Sequence, residues 1–165
     1  MGTTDAVGAA VRVHAIEGRF AQIGDSAFVF AAHLRPYDAR EEDFVAVAER
    51  FLHAPYLWGG KTSLGIDCSG LVQISLDAAG IAAPRDTDLQ EKALGKPLAF
   101  DEELSGLKRG DLMFWPGHVG IMQDEARLLH ANAHHMLVVS EPLRVVRDRI
   151  LASTSKPISA IKRLR

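Results

Sequence analysis

The 165-residue sequence contains one cysteine, and that scarcity excludes several classes at once. A single thiol cannot close an internal disulfide, complete a Cys-x-x-Cys redox pair, or supply a zinc ribbon or an iron–sulfur cluster. The chain also lacks an excess of either charge. Nineteen Lys and Arg stand against 21 Asp and Glu, for a formal net charge of −2. Without a basic excess, nucleic acid is not an expected partner. No run approaches the roughly 18 consecutive apolar residues of a membrane span, so none is expected. Met1-Gly2-Thr3-Thr4-Asp5 lacks the basic stretch and apolar run of a secretory leader. As the sequence is written a cytoplasmic location is expected, or a periplasmic or secreted one if the chain is a fragment. Internal repeats and low-complexity segments are missing too. What is present is an ordinary globular composition, 47% hydrophobic and 24% charged, at a length that favours one domain with at most a small appendage.

Residues 1–10 are small and without periodicity, and a frayed terminus is expected. Three short apolar runs follow, Val11–Ile16, Arg19–Ile23 and Ser26–Phe30, punctuated by Gly18 and Gly24-Asp25. Short runs between turn residues predict an antiparallel hairpin or meander, ended by Pro36, which cannot continue the pairing. A charged stretch, Asp38 to Asp43, then leads into a helix with Phe44, Val47, Ala48, Phe51 and Leu52 on one face. Glu41, Glu42 and Asp43 are expected in its first turn, where negative charge suits the macrodipole, and Pro55 is expected to end it. A second helix is predicted from Cys68-Ser69 to Ala79, stopped by Gly80. It is apolar around most of its circumference, which belongs in an interior. Asp86 to Leu94 predicts a short third helix. After Gly110 the pattern changes to strands: Leu112–Trp115, His118–Met122, Arg127–Ala131, Leu137–Val139 and Ile158–Ile161. Helices first and strands afterwards predict an α+β domain, helices packed on a central antiparallel β-sheet, with a short all-β N-terminal appendage. The expected division is residues 1–36 and 40–165.

Cys68 lies in Gly65-Ile66-Asp67-Cys68-Ser69-Gly70, at the predicted start of the buried helix. Helix N-terminal N–H groups stabilise an anion, so a thiol there is expected to have a depressed pKa. The same groups suit an oxyanion on a carbonyl that the sulfur attacks. The plainer alternative is a small buried hydrophobe. A cysteine nucleophile needs a base within reach. His118, between Gly117 and Val119-Gly120, opens a predicted strand, and His130 lies in the next. Adjacent antiparallel strands would set the two imidazoles side by side, the second orienting the first as in a triad. His14, His33, His53, His134 and His135 are expected to be surface or structural. Zinc is the rival reading, since His118, His130, His134, His135, Cys68 and Asp111 include enough donors. However, no His-Glu-x-x-His and no compact ligand spacing is present, and no metal is expected.

Six ordered motifs are then recognisable: Tyr56-Leu57-Trp58-Gly59-Gly60, Asp67-Cys68-Ser69-Gly70-Leu71-Val72, Pro84-Arg85-Asp86-Thr87 with Gln90, Arg109-Gly110-Asp111-Leu112, Gly117-His118-Val119-Gly120-Ile121, and Leu129-His130-Ala131. Together, over about Phe44 to Val146, they resemble the NlpC/P60 family of papain-like cysteine peptidases. The resemblance implies a papain-like fold with Cys68 as nucleophile, His118 as general base and acid, and His130 as polar orienter. It implies that Tyr56 stands beside the nucleophile and helps stabilise the oxyanion. Asp67 and Ser69 match positions that bind the free α-amine of L-alanine in relatives acting on unblocked stem peptides. Arg85, Asp86 and Thr87 match a segment at the same substrate end. Trp58 is expected as cleft wall or core, and Asp111 as a turn residue. The implied partners are peptidoglycan stem peptides or muropeptides, cut between D-glutamate and meso-diaminopimelate or L-lysine, without a cofactor, in recycling or turnover. Phe28–Pro36 is similar to the end of a bacterial SH3-like domain. Residues 1–36 are too few for the full barrel, so the segment is a truncated module, a fragment, or a domain completed by another chain. The alternatives are an amidase or acyltransferase on the same scaffold and a non-catalytic peptidoglycan-binding module.

Overall fold

The apolar runs after Arg12 become three strands, β1 (Ala15–Glu17), β2 (Phe20–Gln22) and β3 (Phe28–Phe30), paired antiparallel in that order. Gly18, at φ +58°, makes the first turn; its missing Cβ lets it take a left-handed conformation cheaply. Phe20 pairs with Phe30, and their rings meet edge to face at 6.0 Å. A 3₁₀ turn at Ala31–His33 takes the chain out of the sheet before Pro36. The computed structural model describes residues 8–164, so residues 1–7 of the predicted frayed terminus lie outside the described residues. The chain divides into two compact units between Arg40 and Glu41.

In the second unit, α1 (Phe44–Glu49) is shorter than the periodicity suggests. Glu41, Glu42 and Asp43 precede its first turn, contrary to expectation. Asp43 is the N-cap instead, its carboxylate accepting the Val45 N–H at 2.9 Å, because an aspartate side chain satisfies an otherwise orphaned donor there. The helix ends well before Pro55. After Glu49 the bonds tighten to i→i−3, and His53, at φ +69°, leaves the helical region. A small hairpin, β4 (Lys61–Thr62) and β5 (Gly65–Ile66), leads into α2 (Cys68–Ala78). Asp67 caps α2 through the Gly70 N–H at 2.7 Å, and Gly80, at φ +75°, follows its end. Next come α3 (Thr87–Ala93) and β6 (Lys96–Pro97).

The predicted strands appear as β7 (Leu112–Trp115), β8 (His118–Met122), β9 (Arg127–Asn132) and β10 (Leu137–Pro142), then α4 (Leu143–Thr154) and β11 (Ala160–Arg163). They form one antiparallel sheet in the order β10-β9-β8-β7-β11-β6. Helix α4 was not predicted. Its face of Leu143, Val146 and Ile150 is narrow, and the rest is arginine-rich. The sheet is covered on both sides. Leu112, Phe114, Val119, Ile121 and Leu129 pack with α1 and α2, whereas Met113, Trp115, Met122 and Leu128 pack with Leu143 and Val146 of α4. Double coverage explains why β7 is buried at every position and reads as an unbroken apolar run. Burial on this scale, at roughly 25 cal/mol per Å² of apolar surface, is the main driving force for the unit. Among the described residues, no helix is long and apolar enough to cross a membrane.

Candidate active site

A cleft of about 410 Å³ opens at the N-terminal end of α2. Tyr56, Trp58, Asp67, Cys68, Ser69, Arg85, Asp86 and Thr87 all line it, together with Gly117. Four stretches, Tyr56–Gly59, Asp67–Ser69, Arg85–Asp88 and Gly117, thus meet there. The loop carrying Tyr56 and Trp58 lies on the start of α2 because glycines permit the approach. A Cβ on Gly70 would stand 2.5 Å from the Gly60 carbonyl oxygen, which no backbone could tolerate. Gln90 of α3 fastens the third stretch, donating to the carbonyls of Ser69 and Pro84, both at 2.9 Å.

Asp67 is the most heavily bonded of these side chains. It accepts from the N–H groups of Gly70 and Gly59 at 2.7 and 2.8 Å and from both terminal nitrogens of Arg85 at 2.9 and 2.7 Å. Arg85 also donates to Ser69 Oγ at 2.9 Å. Burial alone would raise the Asp67 pKa, but Arg85 and the two N–H groups outweigh it and hold the carboxyl below its ordinary value. The carboxylate that the resemblance offers to a free α-amine is therefore already neutralised by a guanidinium, and an ammonium would share it with Arg85.

Cys68 is the first residue of α2 and is buried. Its sulfur meets the Thr87 hydroxyl at 3.8 Å and the backbone N–H of Val119. Its pKa is raised, contrary to the depression expected at a helix start. Burial is the largest cause, and the neighbouring Asp67 charge adds to it; the Val119 N–H and the Thr87 hydroxyl pull the other way and lose. The resting side chain is a neutral thiol. Tyr56 is half-buried, and burial followed by Cys68 and Asp67 pushes its hydroxyl pKa up, so it stays a donor. Trp58 is 84% exposed, which settles its position as cleft wall rather than core.

His118 opens β8. Its neighbours on either side, Gly117 and Val119, touch the cleft and the thiol respectively. Its Nε2 lies 2.7 Å from Nδ1 of His130, with ring centroids 5.0 Å apart, so the two imidazoles do stand side by side. Burial, then His130 and Arg149, pushes His118 down to about 3; it is a neutral imidazole at neutral pH. His130 is buried and likewise lowered by burial, against the opposing pull of Glu141. Its Nε2 lies 2.9 Å from Glu141 Oε2, and Arg149 grips both Glu141 oxygens at 2.7 Å.

The sequence reading missed Glu141, Arg149 and Asn132. Alternation along β10 was the available signal. His130 pairs with Val139, so extending the predicted strand by two residues puts Glu141 on the side of His130. Arg149 needed α4. Asp111 is structural, as expected of a turn residue: it is buried, accepts the Lys108 N–H at 2.8 Å and pairs with Arg163. Among the described residues, no three His, Cys, Asp or Glu side chains converge as a metal-holding group.

The NlpC/P60 family model matches residues 53–152. A dipeptidyl-peptidase 6 of Lysinibacillus sphaericus is 35% identical over 102 residues, covering 62% of this chain and 36% of the relative. A gamma-D-glutamyl-L-lysine dipeptidyl-peptidase of Bacillus subtilis (strain 168) is 37% identical over 98 residues, covering 54% and 31%. The chain thus spans about a third of the length of these curated relatives. Among solved structures, the peptidoglycan hydrolase RipB of Mycobacterium tuberculosis matches with TM-score 0.59 at 25% identity, over 81% of this chain and 70% of that one. An NlpC/P60 family protein of Bacillus cereus matches with TM-score 0.64 over 93% of this chain and 53% of that one; at 22% identity it speaks for the fold alone.

Proposed function

We infer the reaction from the chain's family: it belongs to the NlpC/P60 family, whose model spans residues 53–152. We propose that it is a cysteine peptidase that hydrolyses the bond between the γ-carboxyl of D-glutamate and the diamino acid of cell-wall stem peptides, in peptidoglycan recycling or turnover. The observation that carries this reading is the convergence of Cys68, Tyr56, Thr87 and Gly117 in one cleft, with His118 paired to His130 beside it.

In this reading the thiol proton of Cys68 passes to His118 Nδ1 as the sulfur attacks the γ-carbonyl carbon. A neutral thiol and a neutral imidazole are the reactants, so charge separates only as the C–S bond forms. The oxyanion is stabilised by N–H groups at the start of α2 and by the Tyr56 hydroxyl. When the tetrahedral intermediate collapses, the C–N bond breaks and His118 returns the proton to the departing amine. Water then attacks the thioester with His118 again as base, releasing the γ-carboxylate and regenerating the thiol. Asp67, Asp86 and Asp88 outnumber Arg85 at one end of the cleft, which suits a free peptide α-amine that shares Asp67 with Arg85.

The test is a panel read by mass spectrometry: L-Ala-γ-D-Glu-meso-diaminopimelate, L-Ala-γ-D-Glu-L-Lys, and N-acyl amides. Scission of at least one tripeptide after D-glutamate, with the amides intact, is expected. Turnover of the amides alone would favour an amidase or acyltransferase and overturn the peptidase reading.

A further inference from the structure

His130 Nε2 has two polar neighbours of opposite character. Glu141 Oε2, at 2.9 Å, can only accept; Asn132 Nδ2, at 3.1 Å, can only donate. The amide orientation of Asn132 is fixed, because its Oδ1 accepts the His135 backbone N–H at 2.9 Å. His135 Nδ1 also stands 3.2 Å from that oxygen and 3.6 Å from Glu141 Oε2. A neutral His130 must therefore choose. With its proton on Nε2 it donates to Glu141 and leaves Nδ1 as an acceptor. With its proton on Nδ1 it accepts from Asn132.

We propose that Glu141, held by Arg149, is a positioning residue that fixes the proton of His130 on Nε2 and thereby the proton of His118 on Nε2, leaving His118 Nδ1 as the lone-pair nitrogen. The geometry dictates each step. An ionised carboxylate gripped at both oxygens by a guanidinium is a fixed acceptor, and a charge-assisted bond to it outweighs a neutral amide donor. His130 Nδ1 must then accept, so His118 donates from Nε2 across 2.7 Å. The nitrogen of His118 left without that proton is Nδ1. The carboxylate thus reaches the base through two imidazole rings rather than one. Burial keeps both rings neutral, and a singly protonated ring is required for the choice to exist.

The kinetic consequence rests on the peptidase reading, but the tautomers do not. Glu141→Gln separates the two. Arg149, a donor only, claims the lone amide oxygen of the new side chain. Its NH₂ then joins Asn132 in donating to His130 Nε2, and both tautomers invert. Long-range ¹H–¹⁵N spectra of the histidine-labelled full chain at neutral pH read this directly. In the wild type both His118 and His130 are expected as Nε2–H tautomers, and in Glu141→Gln as Nδ1–H tautomers. A charge-relay geometry left intact with the wrong tautomer loses rate steeply, so kcat is expected to fall on the order of 10²-fold or more with KM little changed. Arg149→Lys, which keeps a cation on Glu141, is expected to retain the wild-type tautomers. Protonation of His118 at Nδ1 in the wild type would overturn the proposal with no variant needed. So would unchanged tautomers in folded Glu141→Gln. Correct tautomers in a chain that cleaves no stem peptide would sustain it while defeating the peptidase reading.

Discussion

Two arginine–carboxylate pairs serve the site, one next to Cys68 and one behind His130, and they differ in what the carboxylate has left to give. Arg85 holds Asp67 at 2.9 and 2.7 Å, and Arg149 holds Glu141 at 2.7 Å twice. Both carboxyls are kept below their ordinary pKa, mainly by their arginines against the cost of burial. Asp67 spends its remaining capacity on backbone, on the N–H groups of Gly59 and Gly70. It ties the aromatic loop to the helix that carries the cysteine. Glu141 presents its remaining capacity to an imidazole. The same pairing therefore builds scaffold beside the thiol at Asp67 and sets proton positions behind the imidazoles at Glu141.

The comparison breaks if the two pairs fail in the same way. Asp67→Ala removes a helix cap and strands the Arg85 charge in a half-buried place. A loss of about 2–3 kcal/mol is expected from the two effects together, read from urea denaturation. Glu141→Gln keeps the shape and one oxygen for Arg149 but gives up the second charge-assisted bond, so a smaller loss of about 1–2 kcal/mol is expected while turnover collapses. Equal stability losses would show that both are scaffold.

A smaller effect sharpens the same contrast through pH. His118 and His130 are lowered in the folded chain, as are Asp67 and Glu141. The unfolded chain therefore binds protons first as pH falls, and stability declines below about pH 6.5, then further through the carboxylate range near pH 4. Cys68 has the opposite sign. Its pKa is raised, so the folded chain holds that proton longer and stability declines as pH rises above about 8.5. Urea midpoints measured from pH 4 to pH 10 are expected to form a dome. In Cys68→Ala the alkaline decline is expected to shrink while the acid decline stays. An alkaline limb unaffected by that change would contradict the buried neutral thiol.

These contrasts also explain what could be read from the residues alone. Local, contiguous signals were legible. Gly-Ile-Asp-Cys-Ser-Gly marked a helix start, and four of the five strands after Gly110 were found with bounds correct or short at one end, because short apolar runs and the glycine turns between them lie in the chain itself. The last was shifted, expected at Ile158–Ile161 and found at Ala160–Arg163. Eight predicted site residues line one cleft because they belong to compact motifs. The failures were sums of competing terms or products of distant pairing. A helix N-terminus argues for an acidic thiol, but burial and Asp67 outweigh it at Cys68. Three adjacent acids argue for a helix first turn, but only the geometry of Asp43 shows that it caps. Glu141 and Arg149 carry no motif. Their meaning depends on the β9–β10 register and on a helix whose apolar face is three residues wide.

In the proposed reaction the Cys68 sulfur is the atom that opens the peptide. L-Ala-γ-D-Glu-meso-diaminopimelate and its L-lysine counterpart, incubated with wild type and with folded Cys68→Ala and followed by mass spectrometry, test that most directly. Release of L-Ala-D-Glu and the free diamino acid by the wild type, with a loss of at least about 10³-fold in Cys68→Ala, is the expected result. Equal cleavage by the two proteins, or cleavage by neither, would contradict it.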